Sequence, residues 1–266
     1  MVHRPDLLVF PEDLGTPLVA LGDLEALEKA RSLPEAIQGV AARHAEEVAA
    51  VVAQHKVSIQ RALWLIKSDV IMRTYVETFS DLARRHKVFI AAGSTPMVFA
   101  DKAGDAFNTA CVFDPEGQMQ VVGRKVHLVN IEQAEGLDLS PGTIESYKVF
   151  QTPKAVVGCI ICADGWDPEI AKALVKQGAQ VLLQVSANPE VWSAGTREGW
   201  KNSLFSRVQE LKRWGVCVMG VGNLLGLPFQ GQSALVGPKE WTPDGSGFLV
   251  EATSPTEEEV VVGTLD

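Results

Sequence analysis

The chain has 266 residues, 46% hydrophobic and 21% charged, and 24 Lys and Arg against 33 Asp and Glu leave a formal charge of −9. A chain of this length buries roughly 70–75% of its extended surface, so it completes a core without disulfides or structural metal. The acidic balance, with no basic cluster, excludes a phosphate-tracking surface, because nucleic-acid affinity comes mostly from Lys and Arg displacing counterions.

The first apolar run, 7–10, is a β-type segment stopped by Pro11, which predicts a buried strand that delivers Glu12 and Asp13 at its C-terminal end. It is too brief for a secretory signal. Residues 22–86 change character. Ala, Glu, Leu, Arg and Lys dominate, and Leu24, Leu27, Ala30 and then Ala41, Ala45, Val48, Val52 follow helical spacing. This extended region predicts two or three helices broken near Pro34. The last, about 72–85, puts Tyr75, Phe79 and Leu82 on one face, which should pack on a sheet.

From Lys87 onward strands are predicted at 88–92, 110–113, 120–122, 147–150, 156–162 and 181–185, with a turn at 114–117. A helix opens at Pro168 and buries Ile170, Ala173 and Leu174. Another, about 196–214, carries Trp200, Leu204, Val208 and Leu211. Further strands are predicted at 216–219, 234–236, 248–250 and 260–262. Continuous apolar strands beside amphipathic helices imply sheets covered by helices, an α/β or layered α-β class, and one domain over 1–266 is the simplest account. The longest apolar run, 155–163, is far below the ~18 residues that cross a bilayer. No membrane association is expected, and a cytoplasmic location is. Cys111, Cys159, Cys162 and Cys217 are few and lie in apolar contexts, so reduced thiols are the default.

Cys159 and Cys162 have the spacing of a redox or zinc pair, but three residues apart on a strand they point to opposite faces, and Cys111 and Cys217 form no second pair. The run Gly220, Gly222, Gly226 misses the dinucleotide-binding glycine spacing by one residue. Cys162 is the better candidate. It ends a buried strand and precedes a helix, a turn that exposes a side chain and aims backbone N–H groups at the same spot, which suits a nucleophile and an oxyanion. Alone, a cysteine in an apolar strand is ordinary packing. It needs a base. His44, His55, His86 and His127 offer none that stands out, which leaves a Cys-His pair open, and Glu12 is a carboxylate presented at a strand end. Lys125 alone reads as part of a surface charge cluster.

Taken together, Phe10-Pro11-Glu12, Arg124-Lys125-Val126-His127-Leu128 and Cys162-Ala163-Asp164-Gly165-Trp166-Asp167-Pro168-Glu169, in that order, resemble the carbon-nitrogen hydrolase (nitrilase) superfamily. The resemblance extends to Ala92-Gly93-Ser94, Asn108, Glu132, Pro141-Gly142, Ser186-Ala187-Asn188 and Gly231-Gln232-Ser233. It implies a four-layer α-β-β-α sandwich and a catalytic triad: Glu12 as general base and acid, Lys125 as oxyanion partner, Cys162 as nucleophile. Ala163 would add its N–H, and Glu132, with Glu135 as the fallback, would hold the lysine or the substrate. It also implies no metal or organic cofactor, and a homodimer or larger homo-oligomer.

The Cys-x-Asp-x-Trp-x-Pro-Glu pattern looks closer to amidases and N-carbamoyl-amine hydrolases than to nitrile-cleaving members, which usually show Cys-Trp-Glu. A small-molecule amide or carbamoyl substrate is therefore expected, with Trp166, Asn188 and Trp192 around it. A non-catalytic binding or regulatory member and acyl transfer to an amine are the alternatives. Relatives also carry a first strand and helix ahead of the strand ending at Glu12, whereas this sequence reaches Leu7 almost at once. The strand edge would then need a partner, or the region 22–86, to cover it.

Overall fold

In the computed structural model, which describes residues 4–265, the first apolar run forms β1 (Leu7–Val9). It pairs in parallel with β2 (Phe89–Val98), Leu8 opposite Ile90 and Val9 opposite Ala91. β3 (Ala106–Phe113) and β4 (Met119–Arg124) continue this sheet antiparallel, in the order β1-β2-β3-β4. The second sheet has six strands. Its centre is a parallel trio, β6 (Val156–Ile161), β7 (Val181–Ala187) and β8 (Trp214–Gly220). β5 (Val149–Gln151) flanks β6, while β11 (Ala234–Val236) and β12 (Phe248–Glu251) extend the sheet beyond β8, all antiparallel. Parallel central strands are covered on both faces, which is why their sequences are apolar without alternation.

The two sheets stack face to face. Ala91, Ala110, Val112 and Val122 of the first pack against Val157, Cys159, Ile161 and Val185 of the second. On the outer face of the first sheet, Tyr75, Phe79 and Ala83 of α4 (Ile59–His86) meet Ile90, Ala92, Cys111 and Phe113. On the outer face of the second, α5 (Pro168–Lys176) and α7 (Leu204–Leu211) bury Ile170, Leu174, Leu204 and Val208 against Ile160 and Leu182. The order of layers is α-β-β-α, as the resemblance implied.

The helical region differs in detail. It contains α1 (Leu24–Lys29), α2 (Leu33–Arg43), α3 (Ala45–His55) and the 28-residue α4. Pro34 starts α2 rather than breaking a helix, since a proline in the first turn costs no hydrogen bond; Ser32 caps that end by accepting from Glu35 N–H at 3.4 Å. α4 begins 13 residues before the predicted start, capped by Ser58. The periodicity is obscured there because two cations face inward: Arg61 binds the Asp138 carboxylate and carbonyl, and Lys67 binds Asp23 at 2.5 Å.

Three further differences have local causes. The predicted helix 196–214 is two, α6 (Ala194–Trp200) and α7, because Gln184 Oε1 on β7 accepts from Leu204 N–H at 3.1 Å and Ser203 Oγ at 3.2 Å, turning the chain between them. The glycine run 220–226 belongs to a hairpin of β9 (Gly222–Leu224) and β10 (Leu227–Phe229), which sequence patterning missed. Residues 260–262 form no strand: the β-branched valine run is present, but among the described residues no neighbouring strand pairs with it, and Val260 is exposed.

Candidate active site

Glu12 follows the end of β1, Lys125 the end of β4, and Cys162 the end of β6. Strand ends of both sheets therefore supply the three groups. At Glu12 the chain lies directly on β2: Phe10 N–H bonds to the Ala91 carbonyl, Asp13 N–H to Ser94 Oγ, and Gly15 N–H to the Ser94 carbonyl. Gly93 has φ +67°, and a Cβ there would lie 1.8 Å from the Pro11 carbonyl oxygen. Only glycine permits this approach, so Ala92-Gly93-Ser94 shapes the seat of Glu12.

The Lys125 Nζ binds Glu12 Oε1 at 2.7 Å and Glu132 Oε2 at 2.6 Å, with all three side chains buried. Asn108 on β3 donates from Nδ2 to Glu12 Oε1 (3.0 Å) and Glu132 Oε1 (2.8 Å), holding both carboxylates on the ammonium. The other Glu12 oxygen accepts from Ala187 N–H at 2.9 Å, and the Cys162 thiol lies close enough to the same carboxylate for each to shift the other's proton affinity. Glu132 takes the second position beside the lysine, while Glu135 is exposed.

Cys162 has φ +44°, a left-handed value that a non-glycine residue rarely adopts. The turn is held from both sides. Gln184 Nε2 donates to the Cys162 carbonyl at 2.8 Å. Asp164, fully buried, accepts from Val126 N–H (2.8 Å), His127 N–H (2.7 Å) and Tyr147 Oη (2.5 Å), which ties the segment after Lys125 to the turn after Cys162. His127 is turned outward onto Asp167 at 2.8 Å, and His44 onto Asp23.

Burial pushes the Glu12 carboxyl above its ordinary range; Lys125 opposes this and Glu132 adds to it. Burial and then the Glu12 charge push the Cys162 thiol well up, with Lys125 and the Ala187 N–H acting the other way. Burial pulls the Lys125 ammonium down, but the Glu12, Cys162 and Glu132 charges together outweigh it and hold it well above its ordinary value. The arrangement thus keeps a proton between a buried thiol and a buried carboxylate beside a firmly charged ammonium.

Glu12, Lys125 and Glu132 line a cavity of about 260 Å³, together with Asp13, Ala187 and Phe229. Asp13 was not singled out by the sequence. Burial, followed by the charges of Glu12 and Glu132, pushes its carboxyl up to about 7. Asn108 and Asp164 stood within the motifs of the resemblance without a role, and Gln184 and Tyr147 escaped altogether; a polar residue inside an apolar strand pattern is the signal that marks Gln184. Trp166, Asn188 and Trp192 are not on the wall of this cavity. Trp166 packs edge-on against Trp200 at 4.6 Å, Trp192 donates to Gln232, and the Asn188 amide donates to the Glu190 and Gln230 carbonyls.

Two stacked sheets with helices outside, and a buried acid, ammonium and thiol at the strand ends between them, define a nitrilase-type α/β protein. The chain belongs to the carbon-nitrogen hydrolase family, whose sequence profile matches residues 6–266. It is similar to the omega-amidase NIT2 of Xenopus tropicalis, 35% identical over 117 residues, which is 42% of this chain and 41% of that protein. It is also similar to the N-carbamoylputrescine amidase of Solanum tuberosum, 28% identical over 188 residues, covering 64% of this chain and 59% of the relative. These matches span between two fifths and three fifths of the relatives' lengths. Among solved structures, Nit3 of Saccharomyces cerevisiae, a member of branch 10 of the nitrilase superfamily, aligns over 69% of this chain and 62% of its own, with 26% identity and a TM-score of 0.55.

Proposed function

We propose that this chain, acting as one domain over 1–266, hydrolyses a small non-peptide amide or N-carbamoyl compound through a thioester on Cys162. One observation carries the reading: the buried Glu12 carboxylate binds the Lys125 ammonium at 2.7 Å on the wall of a cavity, close enough to the Cys162 thiol for each to shift the other's proton affinity. The amidases among its relatives support a C–N bond as the target.

In this reading Glu12 takes the Cys162 proton as sulfur attacks the carbonyl carbon. Lys125 and the Ala163 N–H hold the oxyanion that forms. The C–N bond then breaks, Glu12 returns its proton to the departing nitrogen, and the acyl group stays on sulfur. Glu12 next deprotonates a water that attacks the thioester; the acid product leaves and the thiol is restored. The raised Glu12 range suits a base that must both accept and return a proton. It predicts that kcat/KM falls with pH on an acid limb lying above the ordinary 4.5 of a glutamate. Among the described residues lining the cavity, Lys125 is the single cation and two carboxylates already occupy it, which favours an uncharged substrate over an anionic one. The reading also takes the protein to be a cytoplasmic homo-oligomer, and light scattering on the purified chain checks the assembly.

Ammonia release is to be screened on amides, carbamoyl amines and nitriles, with mass spectrometry for an acyl adduct on Cys162. The expected result is turnover with an adduct that is absent in Cys162→Ala, and a loss of about 10²–10³ in kcat for Lys125→Ala. No adduct and no ammonia across the panel would favour a binding protein instead.

A further inference from the structure

A second cavity, of about 60 Å³, adjoins the first. Thr16, Pro17, Leu33, Leu137 and Leu224 line both, so the two are separated by shared side chains and not by a layer of the fold. The far wall of the second comes from the helical region: Leu27 of α1, Ala36, Ile37 and Val40 of α2, and Leu63 of α4, with Val19 from the turn after Glu12. Thr16, Gln60 and the Trp64 indole bring the only side-chain polar groups among its described lining residues, and the indole N–H is already given to the Leu137 carbonyl at 2.8 Å. A wall of this kind leaves an ammonium or carboxylate without partners and favours alkyl groups.

We propose that the substrate carries an apolar arm that lodges in this second cavity while its C–N bond lies against Glu12 and Lys125. A single water takes ~10–15 Å³ of such volume, so the cavity holds an alkyl group of about three or four carbons. The inference rests on the amide-hydrolase reading and narrows it: the favoured substrate is uncharged and aliphatic. The helices that the sequence places in the extended region 22–86 thereby act as the specificity wall of the site.

The test uses two series, primary n-alkanamides from acetamide to octanamide, with the arm on the carbonyl side, and N-alkylacetamides, with the arm on nitrogen. Dissociation constants are measured by calorimetry on Cys162→Ala protein, and kcat/KM on the unmodified chain. In one of the series affinity and kcat/KM rise roughly fourfold per methylene, up to about five carbons in the acyl chain or four in the N-alkyl group, and then stop rising. Ala36→Leu, which fills the cavity, moves that limit shorter. Leu27→Ala, at a half-buried position that tolerates truncation, moves it longer. Affinity and rate independent of chain length in both series would overturn the inference while leaving hydrolysis intact. Chain-length-dependent binding without any turnover would support the cavity's role and count against the hydrolase reading.

Discussion

Asp13 stands next to Glu12 and is held in the left-handed region at φ +61°, where its carboxylate accepts from the Thr16 hydroxyl at 2.8 Å. Its carboxyl, raised from 3.8 to about 7, is more easily protonated in the fold than in the unfolded chain. Its stabilising share is therefore complete below pH 3.8 and is lost as pH rises through about 7. Asn tolerates the same backbone and keeps an acceptor for Thr16 without the charge. Asp13→Asn should therefore nearly match the unmodified protein at pH 4, gain stability steadily up to pH 7, and hold a gain of about 4 kcal/mol above it. Urea midpoints across that range check this, and a gain independent of pH would contradict it. Tyr147 is a positioning residue: its hydroxyl reaches Asp164 and accepts from Ile161 N–H at 3.3 Å. Tyr147→Phe should cost about 1–3 kcal/mol, because it strips a partner from a buried carboxylate. It should also lower kcat more than it raises KM, since Asp164 orients the Lys125 segment.

At the scale of elements, α4 is the long support of the first sheet, and its N-terminus is stitched to the segment after Glu132. Ser58 Oγ accepts from Arg61 N–H at 3.0 Å and donates to Asp138 Oδ2 at 2.6 Å, while Arg61 reaches Ser140 Oγ at 2.7 Å. Ser58→Ala removes both a cap and a tertiary bond, and chemical denaturation should register a loss of about 1–2 kcal/mol. Ser58→Asp, which can still cap but repels Asp138, should recover only part of it. The helix illustrates where patterning reads well. Tyr75 and Phe79 lie on the predicted inner face, with Phe79 edge-on to Tyr75 at 4.9 Å. The first turns do not read as buried, because Arg61 and Lys67 are inside only by virtue of Asp138 and Asp23.

The whole molecule matters to the site because neither sheet holds it alone. Glu12, Asn108, Lys125 and Glu132 belong to the first sheet and its loops, and Cys162, Asp164, Gln184 and Ala187 to the second. Ile161, buried between the sheets one residue before the nucleophile candidate, ties the two together. Ile161→Ala should cost about 2–5 kcal/mol. The urea midpoints of activity and of tryptophan fluorescence should then fall together; activity that outlasts the fluorescence change would show that the site survives separation of the layers.

Much of this protein is written locally. The strands at 7–10, 156–162, 181–185 and 234–236, the helix opening at Pro168 and the turn-borne position of Cys162 all follow from apolar runs and from turn and cap residues, which act within a few positions of themselves. Tertiary structure alone decided that Glu132 and not Glu135 faces Lys125, that Asn108 braces two carboxylates, that Gln184 splits one predicted helix into two, and that 260–262 stays unpaired. The reason is one of distance along the chain. Glu12 and Lys125 are 113 residues apart, and Asn108 and Glu12 are 96 apart. No local periodicity records such a pairing; it exists only once two sheets have stacked and excluded the water that would otherwise have satisfied each charge.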